Sequence, residues 1–435
     1  LTRDLPMKPA RHPLRRALLP VFTLALLLAR LPAADSASLG FDAAVLAGFD
    51  RSVAEAIERR QISGAVTLIA RRGEIAHLSV QGYTDLETRR PMARDSIFRL
   101  ASMTKPIASL ALLLLCEDGR CHPNDPVARY LPEFAEPEVL TSQETIDGIR
   151  LVRSRPAKNP ILLRHVLTHT AGHATQYGGT LGDLYLAISK DQEKSDLAEF
   201  CRRLARLPLQ HEPGEGWIYG PSILVVSRLV EAISGQPFPE FLERRIFRPL
   251  GMKDTKFFLT EADASRFTTY YGPDGSGGLK VLDPGSKESP KVSGPKTFFS
   301  GSGGLHSTAD DYLAFCQMVL RDGVHRGVRI AAPGTIALMK TDQIAPQLEA
   351  SRLPGDDFAT NGFTFGYQIK RRDAGPDPLP AGSLNWAGAT GPRFFIDPAD
   401  DVVAIFLVQL PLREPLKPRE DFRATVMRSL GRKIP

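Results

Sequence analysis

The sequence predicts an α/β (α+β) protein, with a sheet domain flanked by helices and built from both ends of the chain, and a mainly helical domain inserted between. Three observations carry this. Runs rich in β-branched and aromatic residues stand near the N-terminal end, Ala65 to Arg71 and Glu74 to Val80, and return at Phe363 to Lys370, Arg393 to Ile396 and Val402 to Val408. From Pro106 to Gly251 the apolar residues instead recur at helical spacing. The chain has 435 residues, 43% of them hydrophobic and 24% charged, which suits a globular protein larger than one ordinary domain of roughly 100–200 residues. A disordered chain, a simple repeat and a bundle of membrane helices are excluded.

The first 38 residues read as a secretory signal peptide. The apolar run Ala17 to Ala29 follows five basic residues, and small residues occupy Ala33 to Ser38. The run is shorter than the roughly 20 apolar residues of a membrane helix, and Pro20 interrupts it. The expectation is a periplasmic or secreted protein with no stable membrane insertion after cleavage, an uncleaved anchor being the alternative. Position 1 is Leu, and Met7 is an alternative start. The leader holds six Lys or Arg against two Asp, so it carries +4 of the formal +6, leaving +2 for the rest. So small a surplus does not make the basic field that nucleic acid needs.

Residues 39–106 and 300–435 are assigned to the sheet domain. In the first piece a helical pattern over Phe41 to Arg60 precedes the two strand-like runs, which Arg72-Gly73 separates. Residues 107–299 form the mainly helical domain, with helices expected over Ile107 to Cys116, Leu162 to Leu167, Leu197 to Leu207 and Ser222 to Ile233. Residues 272–295 are rich in Gly, Pro, Ser and Lys and read as a long surface excursion placed to border a site. Thr308 to Leu320 is helical, with Asp310 and Asp311 in its first turn, and Ala424 to Leu430 reads as a closing helix. Four cysteines allow three complete pairings. Cys116 and Cys121 flank a Glu-Asp-Gly-Arg turn, while Cys201 and Cys316 read as buried free thiols.

The chain has no Gly-x-Ser-x-Gly elbow, no His-Glu-x-x-His helix and no Cys-x-x-Cys pair. Ser102-Met103-Thr104-Lys105 stands instead at the head of an apolar helix. There the Lys105 amine shares a face with Ser102 Oγ, and the exposed N–H groups of the helix N-terminus favour an oxyanion. Ser293-Gly294-Pro295-Lys296 repeats the spacing in a Gly/Pro stretch, where no helix aligns the side chains. His165, His169 and His173, four apart, would share a helix face like a metal site, but Gly172 breaks the helix and the expectation is no metal.

The segment Gly82 to Lys105 (GYTDLETRRPMARDSIFRLASMTK) resembles the start of the serine β-lactamase and penicillin-binding-protein superfamily, in its class C-like branch. Tyr219-Gly220-Pro221-Ser222 is similar to the second motif, and Trp386-Ala387-Gly388-Ala389-Thr390-Gly391 resembles the Trp-x-Gly motif of family VIII carboxylesterases. The resemblance runs from Phe41 to Leu430 with its motifs in order. It implies a β-lactamase/transpeptidase-like antiparallel sheet and no cofactor. It makes Ser102 the nucleophile, Lys105 and Tyr219 the proton-transfer pair, the N–H groups of Ser102 and Ala389 the oxyanion hole, and Trp386, Gly388 and Ser222 substrate-binding residues. Pro221 and Trp386 replace the amide and the cation that would hold a β-lactam or a D-alanyl peptide, so the expectation is a carboxylesterase acting on small neutral esters. The alternatives are a β-lactamase, a D-alanyl-D-alanine carboxypeptidase or D-aminopeptidase, and a non-catalytic binding protein on the same fold.

Overall fold

The computed structural model describes residues 36–434 apart from 148, 176–178, 191, 193–194 and 345–359. All but the last three of the 38 residues read as a leader therefore lie outside the described residues. Helix α1 (Ala43–Glu58) starts at Asp42, whose carboxylate accepts from the amides of Ala44 and Val45. Strands β1 (Gly64–Arg71) and β2 (Glu74–Asp85) follow as a hairpin, and β3 (Arg90–Pro91) adds to its edge. The C-terminal part supplies β4 (Asn361–Phe363), β5 (Gln368–Lys370), β6 (Leu384–Ala387), β7 (Arg393–Asp397) and β8 (Val402–Val408).

These eight strands form one antiparallel sheet in the order β4-β5-β6-β7-β8-β1-β2-β3. The first and last long strands lie side by side, from Ala65 opposite Val408 to Arg71 opposite Val402, which closes the sheet from the two ends of the chain. Both are buried on both faces, and their side chains alternate between two cores. Val66, Leu68, Val403, Ile405 and Leu407 face one core. Ala65, Ile69, Ala404, Phe406 and Val408 face the other, which is covered by Phe49 and Val53 of α1 and by Phe422 and Val426 of a C-terminal helix, Lys417–Ser429.

Helix α2 (Lys105–Glu117) lies in the first core. Every residue from Lys105 to Leu115 is buried, as expected of a helix that is apolar all round. Packed in the same cluster are α3 (Gly179–Lys190), α4 (Leu197–Ala205), α5 (Ser222–Ser234) and α6 (Ala309–Leu320), so the inserted region and the sheet share α2. Among the described residues no helix is long and apolar enough to cross a membrane.

Several expectations are corrected. The inserted region also holds a two-stranded ribbon, Glu138–Ile146 with Ile149–Pro156, and residues 270–283 form a second one, Tyr270–Pro273 with Leu279–Asp283. Its turn is closed by Asp274, whose carboxylate accepts from the amides of Ser276 and Gly278. The run Phe363 to Lys370 is broken into β4 and β5. At Gly366 (φ +120°) a Cβ would meet Pro106 Cα of α2 at 3.1 Å, so the chain turns there. The closing helix begins at Lys417, seven residues earlier than its apolar pattern, with Pro418 in the first turn and Arg419 buried, its guanidinium donating to the carbonyls of Leu410, Pro411 and Leu412.

Candidate active site

Ser102 sits on a single 3-10 turn, Ala101–Thr104, between the short strand Phe98–Arg99 and α2. Ala101 takes the left-handed conformation (φ 45°), uncommon for a residue with a Cβ, and it redirects the chain from strand to helix. The turn is held by three hydrogen bonds with two residues, Leu305 and Tyr312. Leu100 N donates to Leu305 O at 3.0 Å, Thr104 Oγ1 accepts from Leu305 N at 3.1 Å, and Tyr312 of α6 donates to Met103 O at 2.9 Å. Pro106 is tolerated in the first turn of α2, where its missing N–H has no partner to lose.

The i,i+3 geometry places Lys105 Nζ 3.0 Å from Ser102 Oγ, and the same amine donates to Ser302 O at 2.6 Å. From the loop before α5, Tyr219 donates its hydroxyl to Ser102 Oγ at 2.7 Å. The Lys105 amine also lies 4.7 Å from the centre of the Tyr219 ring. Two side chains, one from the next turn and one 117 residues on, thus converge on Ser102 Oγ, and Lys105 is only 3% exposed.

Tyr219 is held by an aromatic cluster. Its ring centre is 4.8 Å from His169 and 5.4 Å from Trp386, Trp217 stacks on it at 6.3 Å, and Phe363 packs on His169, Trp217 and Trp386. His169, which its spacing marks only as one of three histidines not expected to hold a metal, is a member of the site. Both its ring nitrogens are buried without a hydrogen-bond partner among the described residues. Burial, and next the Lys105 cation, hold its pKa well below the ordinary range, so the ring facing Tyr219 is neutral. The signal that marks it is backbone geometry (φ 61°) within Thr168-His169-Thr170, which spacing rules do not read. The three histidines diverge: His165 Nδ1 accepts from Leu162 N, His169 lies on Tyr219, and His173 Nδ1 is 3.0 Å from Ser222 Oγ.

A cavity of about 590 Å³ opens onto Ser102, Lys105 and Tyr219. Its apolar lining includes Leu186, Leu224, Phe257, Phe258 and Phe298, and Lys190 and Lys291 contribute to its walls. Pro290, Lys291 and Pro295 belong to the Gly/Pro-rich stretch, which therefore borders the site. Ala389 also lines the cavity, from the turn after β6, and Thr390 of that turn donates to Arg99 O at 2.9 Å, tying it to the strand before Ser102.

Three residues expected to bind substrate lie outside the described lining of this cavity. Ser222 is 1% exposed and spends its hydroxyl on His173, because it heads α5 facing inward. Trp386 packs on Tyr219 and Phe363, where it buttresses the tyrosine. Gly388 is a packing position: a Cβ there would meet Leu100 O at 2.3 Å and Ala101 Cβ at 3.2 Å. Lys296 is exposed and likewise lies outside the lining.

A helix-backed antiparallel sheet, with a Ser-x-x-Lys turn entering its buried helix and a tyrosine on the serine, defines the serine hydrolases of the β-lactamase/transpeptidase fold. The chain belongs to the β-lactamase family, whose model matches residues 49–426. It is similar to esterase EstB of Burkholderia gladioli, 33% identical over 391 residues that cover 84% of this chain and 91% of EstB. Among solved structures it is similar to EstCE1, described as a hydrolase with promiscuous acyltransferase activity, at 28% identity and a TM-score of 0.71 over 87% of this chain and 98% of that one. Simvastatin synthase (LovD) from Aspergillus terreus superposes with a TM-score of 0.74 at 25% identity, covering 88% of this chain and 98% of that one.

Proposed function

We propose that the protein is a carboxylesterase that hydrolyses small neutral esters through an acyl-enzyme on Ser102. The observation that carries this is the convergence of Lys105 Nζ and Tyr219 OH on Ser102 Oγ at the wall of a cavity whose lining mixes apolar and polar side chains. Ser102 Oγ attacks the ester carbonyl as its proton passes to the unprotonated member of the Lys105/Tyr219 pair, the neutral amine or the phenolate. The carbonyl oxygen, now an oxyanion, is received by the N–H groups of Ser102 and Ala389. Collapse expels the alcohol, which takes the proton from the pair. Water then attacks the acyl group with the same pair as base, and the acid leaves.

The name of the Burkholderia gladioli relative supports esters over lactams. In this reading the leader directs the enzyme to the periplasm or the medium. Lys190, exposed at the cavity wall, and half-buried Lys291 tolerate a neutral ester and leave the apolar residues to take its acyl chain.

The test is hydrolysis of p-nitrophenyl acetate, butyrate and octanoate beside a chromogenic cephalosporin, with wild type and Ser102→Ala. Ester turnover should exceed cephalosporin turnover and fall at least about 10³-fold in the variant. Faster lactam hydrolysis would overturn the substrate class, and activity surviving in Ser102→Ala would overturn the nucleophile.

A further inference from the structure

At the far end of α2 from Ser102, the sulfurs of Cys116 and Cys121 lie 3.1 Å apart, both as free thiols. The turn between them is already closed by backbone bonds. Asp118 N donates to Leu114 O, Gly119 N to Cys116 O and Arg120 N to Leu115 O, and Gly119 takes the left-handed conformation (φ +72°) that lets the chain double back. The side chains between the cysteines are anchored on three other elements. Glu117 accepts from Ala332 N and Thr335 Oγ1, Asp118 pairs with Arg245 at 2.5 Å, and Arg120 donates to the carbonyls of Ile233 and Ser234 at the end of α5. The two sulfurs are thus held together by contacts that do not involve them, and little chain entropy remains to be lost in joining them.

The pair is asymmetric. Cys116 is partly exposed, while Cys121 is buried at 8% exposure. The contact between the thiols makes Cys116 the more acidic member and pushes Cys121 up, with burial adding to the latter. Cys201 and Cys316 are wholly buried, and burial raises both thiols, so they are inert internal controls.

We propose that Cys116 and Cys121 are a thiol–disulfide exchange site at which Cys116 attacks a small-molecule or protein disulfide and Cys121 resolves the product into a Cys116–Cys121 bond. In the first step Cys116 thiolate attacks one sulfur of the oxidant, a mixed disulfide forms and one thiolate leaves. In the second, Cys121 gives its proton to solvent, attacks Cys116 Sγ and expels the remaining half of the oxidant as a second thiolate. Two protein thiols are oxidised and one external disulfide is reduced to two thiols. The bond closes the end of α2 where it meets the end of α5. At their opposite ends these two helices carry Ser102 with Lys105, and the Tyr219 loop, so the bond clamps the scaffold of the site without touching it. The inference is independent of the esterase reading.

The test uses the reduced full chain, oxidised glutathione near pH 8, iodoacetamide quenching and trypsin. Cleavage after Arg120 separates the two cysteines, so the bond is read directly as a cross-linked peptide pair that reduction splits. The denatured thiol count should fall from four to two. Cys121→Ser should stop at a glutathione adduct on Cys116, whereas Cys116→Ser should be modified on Cys121 at least about tenfold more slowly. The bond should also raise the melting temperature by a few degrees. Four persisting thiols, a bond to Cys201 or Cys316, equal reactivity of the two single variants, or a melting temperature that does not rise would each overturn the proposal.

Discussion

Replacing Gly388 by alanine tests whether this glycine contacts substrate or holds the nucleophile in place. Its new Cβ would lie 2.3 Å from Leu100 O, 2.9 Å from Pro392 Cγ and 3.2 Å from Ala101 Cβ. An ordinary C···O approach is about 3.3 Å, so one of the two backbones must give by about 1 Å. Gly388 is tied to Pro392 O through its amide, and Leu100 O is the acceptor for Met103 N in the first bond of the Ser102 turn. Movement of Leu100 therefore reaches Ser102 directly. A misplacement of about 1 Å costs on the order of 10²-fold in rate, or about 2.7 kcal/mol of transition-state stabilisation, and overpacking adds about 1–3 kcal/mol of destabilisation. The assay is kcat and KM for p-nitrophenyl acetate, butyrate and octanoate, normalised to sites labelled by a fluorophosphonate, with a thermal melt alongside. The expected result is a kcat loss of about 10²-fold, equal for all three esters, with Ala389→Gly as the milder neighbour. An unchanged kcat with a KM that rises with acyl length would show Gly388 to be a substrate wall and refute the packing argument.

Tyr219→Phe keeps the aromatic cluster but removes the hydroxyl 2.7 Å from Ser102 Oγ, so kcat should fall about 10²–10⁴-fold with little change in melting temperature. A loss below tenfold would take Tyr219 out of the proton path. Ser222→Ala should behave in the opposite way, because it strands the buried His173 Nδ1: about 1–3 kcal/mol less stability in urea unfolding and kcat within a few-fold of wild type. Acid should unfold the protein early. Burial lowers His165 to about 4, and His173 and His306 to about 3, against about 6.5 unfolded, so their contribution is intact above pH 6.5 and is lost as pH falls towards the folded values. At pH 5 each removes about 2 kcal/mol, together about 6 of a typical 5–15 kcal/mol. A urea midpoint that is the same at pH 7.5 and pH 5 would contradict this.

What the sequence could show follows from which physical rule each segment obeys. Val402–Val408 is β-branched, aromatic and buried on both faces, and it reads as a strand from composition alone. Helix α6 announces itself by Thr308, whose side chain accepts from Asp311 N. The ribbon over residues 138–156 is hidden because its aliphatic residues, Val139-Leu140, Ile146, Ile149 and Leu151-Val152, fall as adjacent pairs or beside the turn rather than at every second position, so no strand period emerges. The start of the closing helix is hidden because Lys417 to Asp421 holds no apolar side chain but Pro418, and Arg419 is buried there.

The site divides along the same line. Ser102 and Lys105 are linked by helix geometry, and an i,i+3 relation is written in the sequence as a spacing. Tyr219 is recognisable by its motif and its place before a helix. The residues around it are different, because whether Trp386 or Ser222 faces the cavity depends on one rotation of a strand or a helix start, and a motif is blind to that rotation. The walls of the cavity are assembled from separate segments that no single period connects. Leu186 and Lys190 come from a helix, and Pro290, Lys291 and Pro295 from the Gly/Pro-rich stretch, where Ser289 and Val292 are buried and anchor it while Pro295 stays exposed. Exposed wall positions such as Lys190 and Pro295 can therefore change at little cost to the sheet or to α2, and substrate preference on this scaffold can diverge while the Ser102, Lys105 and Tyr219 geometry stays in place.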